Sequence, residues 1–445
     1  MKTLLPHQIE DARFLASRKV AGNFSGMGSG KTLTALAGGR LVSAERTIVV
    51  APPIALAMWA HEAENEVGLS TQIITAGKTK IDTDVDIIIT SYALATKRVA
   101  ELKALQADVL ILDESHALKN VTAKRTRAML GRGGLCESVK HTWFLTGTPV
   151  TRWNDDLFPF LVRAANGSLR ETIGGMSMDR FQLRYCVTQL KKFHSRQPRP
   201  IKVVVGNRNT VELNKMLFDG SSPLAVRREL KEVWAAMPPI TKTRLYVTPT
   251  RSDELSTAMQ ALAKMSQRQI EQAIGNNDES LARTRRLLGE AKVDASVSEI
   301  VDRVESSDSG ILVLAWHRSV IDALVAALED KGVTVSKIDG GTPAHQKQSA
   351  QVDFNSGNIQ VLVGQIAAMG TAIDLQHGGH NIIVVEEDWS PAVMDQAYAR
   401  LHRMGQSNHV SAEILSTDTK LDKALSRIAS NKSREHSNLL EQNND

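Results

Sequence analysis

The sequence predicts an α/β protein with two parallel-sheet lobes in tandem and a helical insertion between them. Three observations carry that expectation. Short apolar, β-branched runs recur at residues 47–51, 86–90, 108–112 and 142–146, and again at 311–315, 333–337, 359–363 and 381–385, with helical patterning between them. Such alternation reads as a parallel sheet covered by helices, once in each half. Between the two sets the pattern lapses, and residues 180–244 hold 14 Lys and Arg against 4 Asp and Glu. Finally, an apolar lead-in at Phe24 passes through a glycine-rich turn, Ser25-Gly26-Met27-Gly28-Ser29-Gly30-Lys31-Thr32, into a helix-like segment.

A chain of 445 residues, 42% hydrophobic, can bury more than one core. The expected divisions are a first lobe over 1–165, a basic helical insertion and linker over 166–245, a helical segment over 246–305, a second lobe over 306–430 and a polar, frayed tail over 431–445. Net charge is +5 with a pI near 9.1, which permits a polyanionic partner without requiring one. Taking the +10 of residues 180–244 from that total leaves about −5 elsewhere, so the basic excess is regional. Only Cys136 and Cys186 occur, at no metal-ligand spacing, which speaks against a disulfide framework or zinc site and for a reducing compartment. No run nears the roughly 18 apolar residues of a membrane span, so a cytoplasmic protein without a membrane partner is expected.

The glycine-rich turn has the makings of a phosphate cradle. Glycines let successive N–H groups point into one concavity, Lys31 reaches β and γ phosphates, and the Thr32 hydroxyl ligates Mg²⁺ at the positive end of the following helix. ATP with Mg²⁺ is the expected ligand, with Gly28 and Gly30 supplying backbone. Ser25 stands where the strict pattern G-x-x-x-x-G-K-[ST] has glycine. Just upstream, Gln8 carries an amide that could pair with an adenine edge, against the alternative of a surface glutamine at a helix start.

In open α/β sheets ligands gather at the carboxyl ends of strands. The runs of the first half end there in Pro52, Thr90-Ser91-Tyr92, Asp113-Glu114-Ser115-His116 and Gly147-Thr148-Pro149. A carboxylate at the end of a buried strand suits the metal that bridges phosphates, and its neighbour can deprotonate an attacking water. Asp113 is therefore expected on the metal and Glu114 as general base. In the second half, Gln396 to Gln406 places Arg400 and Arg403 three apart, which a helix would point the same way. A guanidinium suits the charge spread over a transferring γ-phosphoryl group.

Together, Asp113-Glu114-Ser115-His116 with Lys119-Asn120, Leu145-Thr-Gly-Thr-Pro149, Pro52 and Trp59-x-x-Glu62 resemble motifs II, III and Ia of superfamily 2 helicase-like ATPases of the SWI/SNF type. Gln396-Ala-Tyr-Ala-Arg400-Leu-His402-Arg403-Met-Gly405-Gln406 resembles motif VI. Ile338-Asp-Gly-Gly-Thr-Pro343 and Met369-Gly370 lean toward the HepA-related annealing-helicase branch. The resemblance runs from about Leu5 to Gln406.

It implies two RecA-like lobes that hydrolyse ATP at their interface to move along double-stranded DNA. It adds Gln396 to the nucleotide site and assigns nucleic-acid contact to Thr90, Ser91, Tyr92, Arg227, Arg228, Thr342 and Lys347. Departures are Ser25 and Gly26 for acidic residues, Lys347 for arginine, Ala372-Ile373-Asp374 for Gly-Leu-Asn, and Ser390 for asparagine. Basic residues of the insertion would hold a duplex backbone by releasing its counterions, the alternative being a basic face without a partner. Its few aromatics, among them Phe181, Tyr185 and Phe193, give no platform for unpaired bases. The length suggests a minimal, monomeric motor of viral or bacterial origin. Its rivals are a strand-separating helicase and a catalytically silent DNA-binding scaffold, though Lys31, Glu114 and Arg403 oppose the latter.

Overall fold

The computed structural model describes residues 3–173, 175, 177–192, 200–219, 222–234, 237–275, 278–369 and 373–440. Phe193, Gly370 and Ala372 lie outside them. The chain divides into two compact units, residues 1–233 with 435–445, and residues 234–434.

The first unit is built on a seven-stranded, all-parallel sheet. Its strands are β1 (Val20–Asn23), β2 (Thr47–Ala51), β3 (Thr71–Ile74), β4 (Ile87–Ser91), β5 (Val109–Asp113), β6 (His141–Leu145) and, after an antiparallel hairpin of β7 (Cys186–Lys191) with β8 (Ile201–Asn207), the two-residue β9 (Ala225–Val226). The spatial order is β3-β4-β2-β5-β6-β1-β9. β2 and β4 are buried along their whole length, the environment that selects continuous Val and Ile runs over alternating ones. Side chains from 158–217 join the same core: Phe160 packs edge-on to Phe24 and Phe144 at 5.0 and 5.1 Å, and Phe181, Tyr185 and Leu213 are fully buried.

The second unit carries a six-stranded parallel sheet in the order β10-β15-β14-β11-β13-β12. These are β10 (Ile240–Tyr246), β11 (Gly310–Ala315), β12 (Val335–Ile338), β13 (Val361–Gln365), β14 (Gly379–Val384) and β15 (Val410–Ser416). Leu281 and Leu288, from the expected helical segment, pack with Leu255, Ile270 and Leu421. Among the described residues no helix is long and apolar enough to cross a membrane.

The insertion between the two expected lobes is helical only in part. Alongside Met178–Tyr185 and Thr210–Asn214 it holds the β7–β8 hairpin, β9 and β10. The Val203-Val204-Val205 run explains the hairpin, because β-branched side chains lose χ1 freedom in a helix and fit a pleated surface. β10 is an edge strand whose Thr, Lys and Arg side chains keep it polar. Residues 431–440 of the expected tail continue the helix Lys420–Leu440.

Candidate active site

In the first unit the glycine-rich turn leaves the carboxyl end of β1 and enters the helix Lys31–Leu41. Gly28 and Gly30 take φ of +78° and +79°, a left-handed conformation that costs a side chain dearly. At Gly30 a Cβ would also sit 2.2 Å from the Gln8 amide. Gln8 is buried, not on the surface: its Oε1 accepts from the Leu5 N–H at 2.8 Å and its Nε2 faces the Gly30 carbonyl at 3.4 Å. Lys31 Nζ donates to the carbonyls of Ser25 and Gly26 at 2.8 and 2.9 Å. Thr32 is half-buried in the first helical turn, and the buried Ser29 Oγ has no hydrogen-bond partner among the described residues.

The structure accounts for Ser25. β9 lies beside β1, so Phe24 N–H donates to the Val226 carbonyl and Gly26 N–H to that of Arg228. The Ser25 hydroxyl accepts the Arg228 N–H at 3.1 Å, and a glycine would leave that donor unmatched. Arg228 also bonds Asp11 at 3.1 Å and Glu10 at 2.9 Å, and Arg227 donates to the Phe24 carbonyl at 3.1 Å. Both guanidinium groups, expected on nucleic acid, thus also brace the glycine-rich loop. Burial pushes the Asp11 carboxyl above its ordinary range and Arg228 pulls it back.

Asp113 ends β5. Its Oδ2 accepts the Trp59 indole N–H at 2.8 Å, its Oδ1 accepts the Glu114 N–H at 2.9 Å, and its carbonyl accepts the Tyr92 hydroxyl at 2.7 Å. Burial pushes the carboxyl up to about 6 and the Glu114 carboxylate adds to the rise, while Trp59 and the nearby Lys31 ammonium oppose it. Glu114 has φ +45°, strain in a non-glycine residue that clusters at functional sites. Its Oε2 lies 3.3 Å from the Thr146 hydroxyl and 3.2 Å from His116 Nδ1, which is itself 3.1 Å from that hydroxyl. Trp59, His116 and Thr146 are thus positioning residues without a role in the sequence reading, although all three stand inside the motifs that define the resemblance.

Thr90, Ser91 and Tyr92 are buried at 1, 6 and 6% exposure. Ser91 caps the helix Tyr92–Lys97 by accepting the Leu94 N–H, and the Tyr92 hydroxyl is spent on Asp113. Their side chains, expected on nucleic acid, are thus engaged within the fold.

In the second unit the helix Pro391–Tyr398 stops short of both arginines, which stand in the turns that follow it, and Gly405 at φ +98° turns the chain onward. The expected shared helical face is corrected, yet the two still converge. Arg400, buried, donates to the carbonyls of Gln396 and Ile373 at 3.1 and 3.3 Å, and Arg403 pairs with Asp374. Asp374 is one of the departures noted above, so the carboxylate there gives Arg403 a charged partner that asparagine would not. Gln396 is half-buried. The Thr342 hydroxyl closes the loop after β12 by bonding Asp339 N–H and carboxylate, at 2.9 and 3.2 Å. Lys347 is half-buried, and burial lowers its ammonium below the ordinary lysine range while Asp339 opposes.

The first unit's residues fit a nucleoside triphosphate with Mg²⁺. Two left-handed glycines shape the cradle, a lysine ammonium rests on carbonyls beside a strand-end carboxylate, and a buried hydroxyl lacks a partner. Among the described residues no cluster of three or more His, Cys, Asp or Glu could hold a metal, and Mg²⁺ held by one carboxylate and substrate phosphates requires none.

A model of the SNF2-related domain matches residues 7–292 and one of the helicase conserved C-terminal domain matches 291–405. The SWI/SNF-related matrix-associated actin-dependent regulator of chromatin subfamily A-like protein 1 of Xenopus laevis is 28% identical over 422 residues, 93% of this chain and 41% of its own length. The DNA annealing helicase and endonuclease ZRANB3 of Mus musculus is 25% identical over 409 residues, 89% of this chain and 37% of its own. The chain thus spans about two fifths of these relatives. A solved structure, the Sulfolobus solfataricus SWI2/SNF2 ATPase core in complex with dsDNA, aligns at 18% identity and a TM-score of 0.43, over 99% of this chain and 97% of that one.

Proposed function

Because the chain belongs to the SNF2-related family, we propose that it is a DNA-dependent ATPase, a monomeric motor that hydrolyses ATP to ADP and phosphate to translocate along double-stranded DNA. The observation that carries this reading is the Lys31 ammonium resting on the phosphate-loop carbonyls within electrostatic reach of Asp113. In this reading Gln8 and Gln396 hold the nucleotide base and sugar side, the amides of Gly28 and Gly30 receive phosphate oxygens, and Lys31 leaves its two carbonyls for the terminal phosphates. Thr32 and Asp113 are the residues that would hold Mg²⁺, which when bound would supply positive charge to neutralise the phosphates.

Glu114 takes the proton of the attacking water. Its strained backbone and the Thr146 and His116 contacts fix the carboxylate before substrate arrives, so little reorganisation remains for the chemical step. Arg403, released from Asp374, stabilises the charge on the transferring phosphoryl group, and Arg400 holds the segment from which it acts. Thr342 and Lys347 are the second unit's contacts to the track. Closure on ATP and opening after hydrolysis supply the step.

A triplex-displacement assay paired with forked-duplex unwinding under ATP tests the reading. Displacement with little unwinding is expected. Efficient unwinding without displacement would favour a strand-separating helicase, and duplex binding with no hydrolysis would favour a silent scaffold.

A further inference from the structure

Part of the positive charge that residues 180–244 concentrate in the sequence is matched inside the fold. Arg184 pairs with Glu212 at 2.8 Å, Lys231 with Glu229 at 2.6 Å, Lys202 with Asp179, and Arg228 with Glu10 and Asp11. A second stretch also keeps its charge on the surface. Residues 115–136 contain Lys119, Lys124, Arg125, Arg127 and Arg132 and no Asp or Glu, and all five cations are exposed.

The fold holds this face in place. Lys124, Arg125 and Arg127 stand on the helix Lys124–Leu130, whose other side buries Thr126, Met129 and Leu130. Thr126 Oγ1 donates to the Leu118 carbonyl at 3.1 Å, which prevents the helix from rolling. Arg127 donates to the Thr122 carbonyl at 2.6 Å and Lys119 to the Thr151 hydroxyl. Both acceptors are neutral, although the Thr151 hydroxyl in turn donates to Asp156 at 2.7 Å. Acids on neighbouring elements are engaged elsewhere: Glu101 with Arg98, Asp108 with Lys140 and Glu137 with Arg163, at 2.6 to 2.8 Å.

We infer that this face is a docking surface for the phosphate backbone of duplex DNA. The inference rests on the proposed duplex-tracking function and names the surface that serves it. A helix of 7 residues is about 10 Å long, the axial rise of about three phosphates on one strand. No Phe, Trp or Tyr occurs in residues 93–142, so the face has nothing on which to stack unpaired bases and suits a duplex over a single strand. Lys119 follows Glu114 by five residues, with the turn Ser115–Leu118 between them. Occupancy of the face therefore bears directly on the segment that carries the general base.

The test compares Lys124→Gln/Arg125→Gln/Arg132→Gln with a control of equal charge change at exposed cations elsewhere, Arg251→Gln/Lys264→Gln/Lys331→Gln. Binding of a fluorescent duplex is followed by anisotropy across a range of KCl concentrations, with thermal unfolding as the check on folding. The face variant is expected to flatten the plot of log affinity against log salt by about 0.9 per lost phosphate contact, about two to three in all. Its affinity at fixed moderate salt falls at least about tenfold, whereas the control keeps the wild-type slope. Should the face variant unfold, Arg125→Gln alone carries the test with a change of about 0.9. Wild-type duplex binding with an unchanged slope in the face variant would overturn the inference and leave the proposed function standing. Equal flattening in the control would reduce the effect to bulk charge and overturn it too, and a wild-type protein that binds no duplex would overturn both.

Discussion

Replacing Trp59 by Phe removes one hydrogen bond from the carboxylate on which the proposed site depends. Trp59 is fully buried and its indole N–H reaches Asp113 Oδ2 at 2.8 Å. A hydrogen bond to an ionised group contributes about 1.5 to 3 kcal/mol. Since about 1.4 kcal/mol is a tenfold change in a protonation equilibrium, its loss favours the protonated carboxyl by about 10- to 150-fold. Asp113 starts at about 6 in the folded protein, so at pH 7 the ionised fraction should fall from about nine-tenths to half or less. Only the ionised form can hold Mg²⁺. The acid limb of kcat/KM for ATP hydrolysis should therefore move up by about one to two pH units, with activity recovering at higher pH.

Stability follows the same linkage. A carboxyl whose folded ionisation lies above the unfolded value destabilises the fold as pH rises between the two. For the wild type that window closes near 6. In the variant it extends past neutrality, so its deficit in unfolding midpoint should grow from pH 6 to 8. A folded variant with an unmoved acid limb and a uniform loss of rate would refute the reasoning.

Glu114→Gln should leave ATP affinity nearly intact and slow turnover about 10²- to 10⁴-fold, because size is kept and the base is lost; nucleotide binding beside steady-state rate checks this, and near-normal hydrolysis would remove Glu114 from its role. Arg403→Ala should bind ATP yet hydrolyse it on the order of 10³-fold more slowly, and a change in DNA affinity alone would move it to the track. Arg400→Ala should also lower the unfolding midpoint, because Arg400 is buried on two carbonyls. Arg228→Ala orphans the buried Asp11 and should cost about 1 to 3 kcal/mol at neutral pH. That loss should shrink in chemical denaturation toward pH 5, because protonating Asp11 relieves the unpaired charge; a pH-independent loss would contradict the bracing role.

The eight strand-forming runs were legible because a strand covered on both faces needs an unbroken apolar sequence, and those runs sit in the sheets within a residue or two of the expected places. β9 was not legible: two residues carry no period, and its meaning lies in the partner it finds beside β1. For the same reason Arg227 and Arg228 read as a basic surface. Charge counted along the chain cannot see Glu10 and Asp11, which precede Arg228 by more than 200 residues and meet it only in the fold. Asp113, Glu114 and Lys31 stood out because phosphate chemistry favours carboxylates at a strand end and a lysine at the start of the helix that follows a glycine-rich turn. Trp59 and Thr146 were visible only as motif members, since an indole N–H aimed at a carboxylate leaves no mark on hydrophobic periodicity. The turn that ends the helix before Arg400 was hidden as well, because Ala399 to Met404 is an acceptable helical sequence until Gly405.

The measurement that bears most directly on the motor reading is the steady-state ATPase rate of the full chain without nucleic acid and with single-stranded DNA, duplex DNA and RNA, side by side at one salt concentration. Duplex DNA is expected to stimulate hydrolysis at least as strongly as single strands do, and Glu114→Gln to abolish the stimulated rate. Hydrolysis indifferent to duplex DNA, or raised only by single strands or RNA, would contradict that reading.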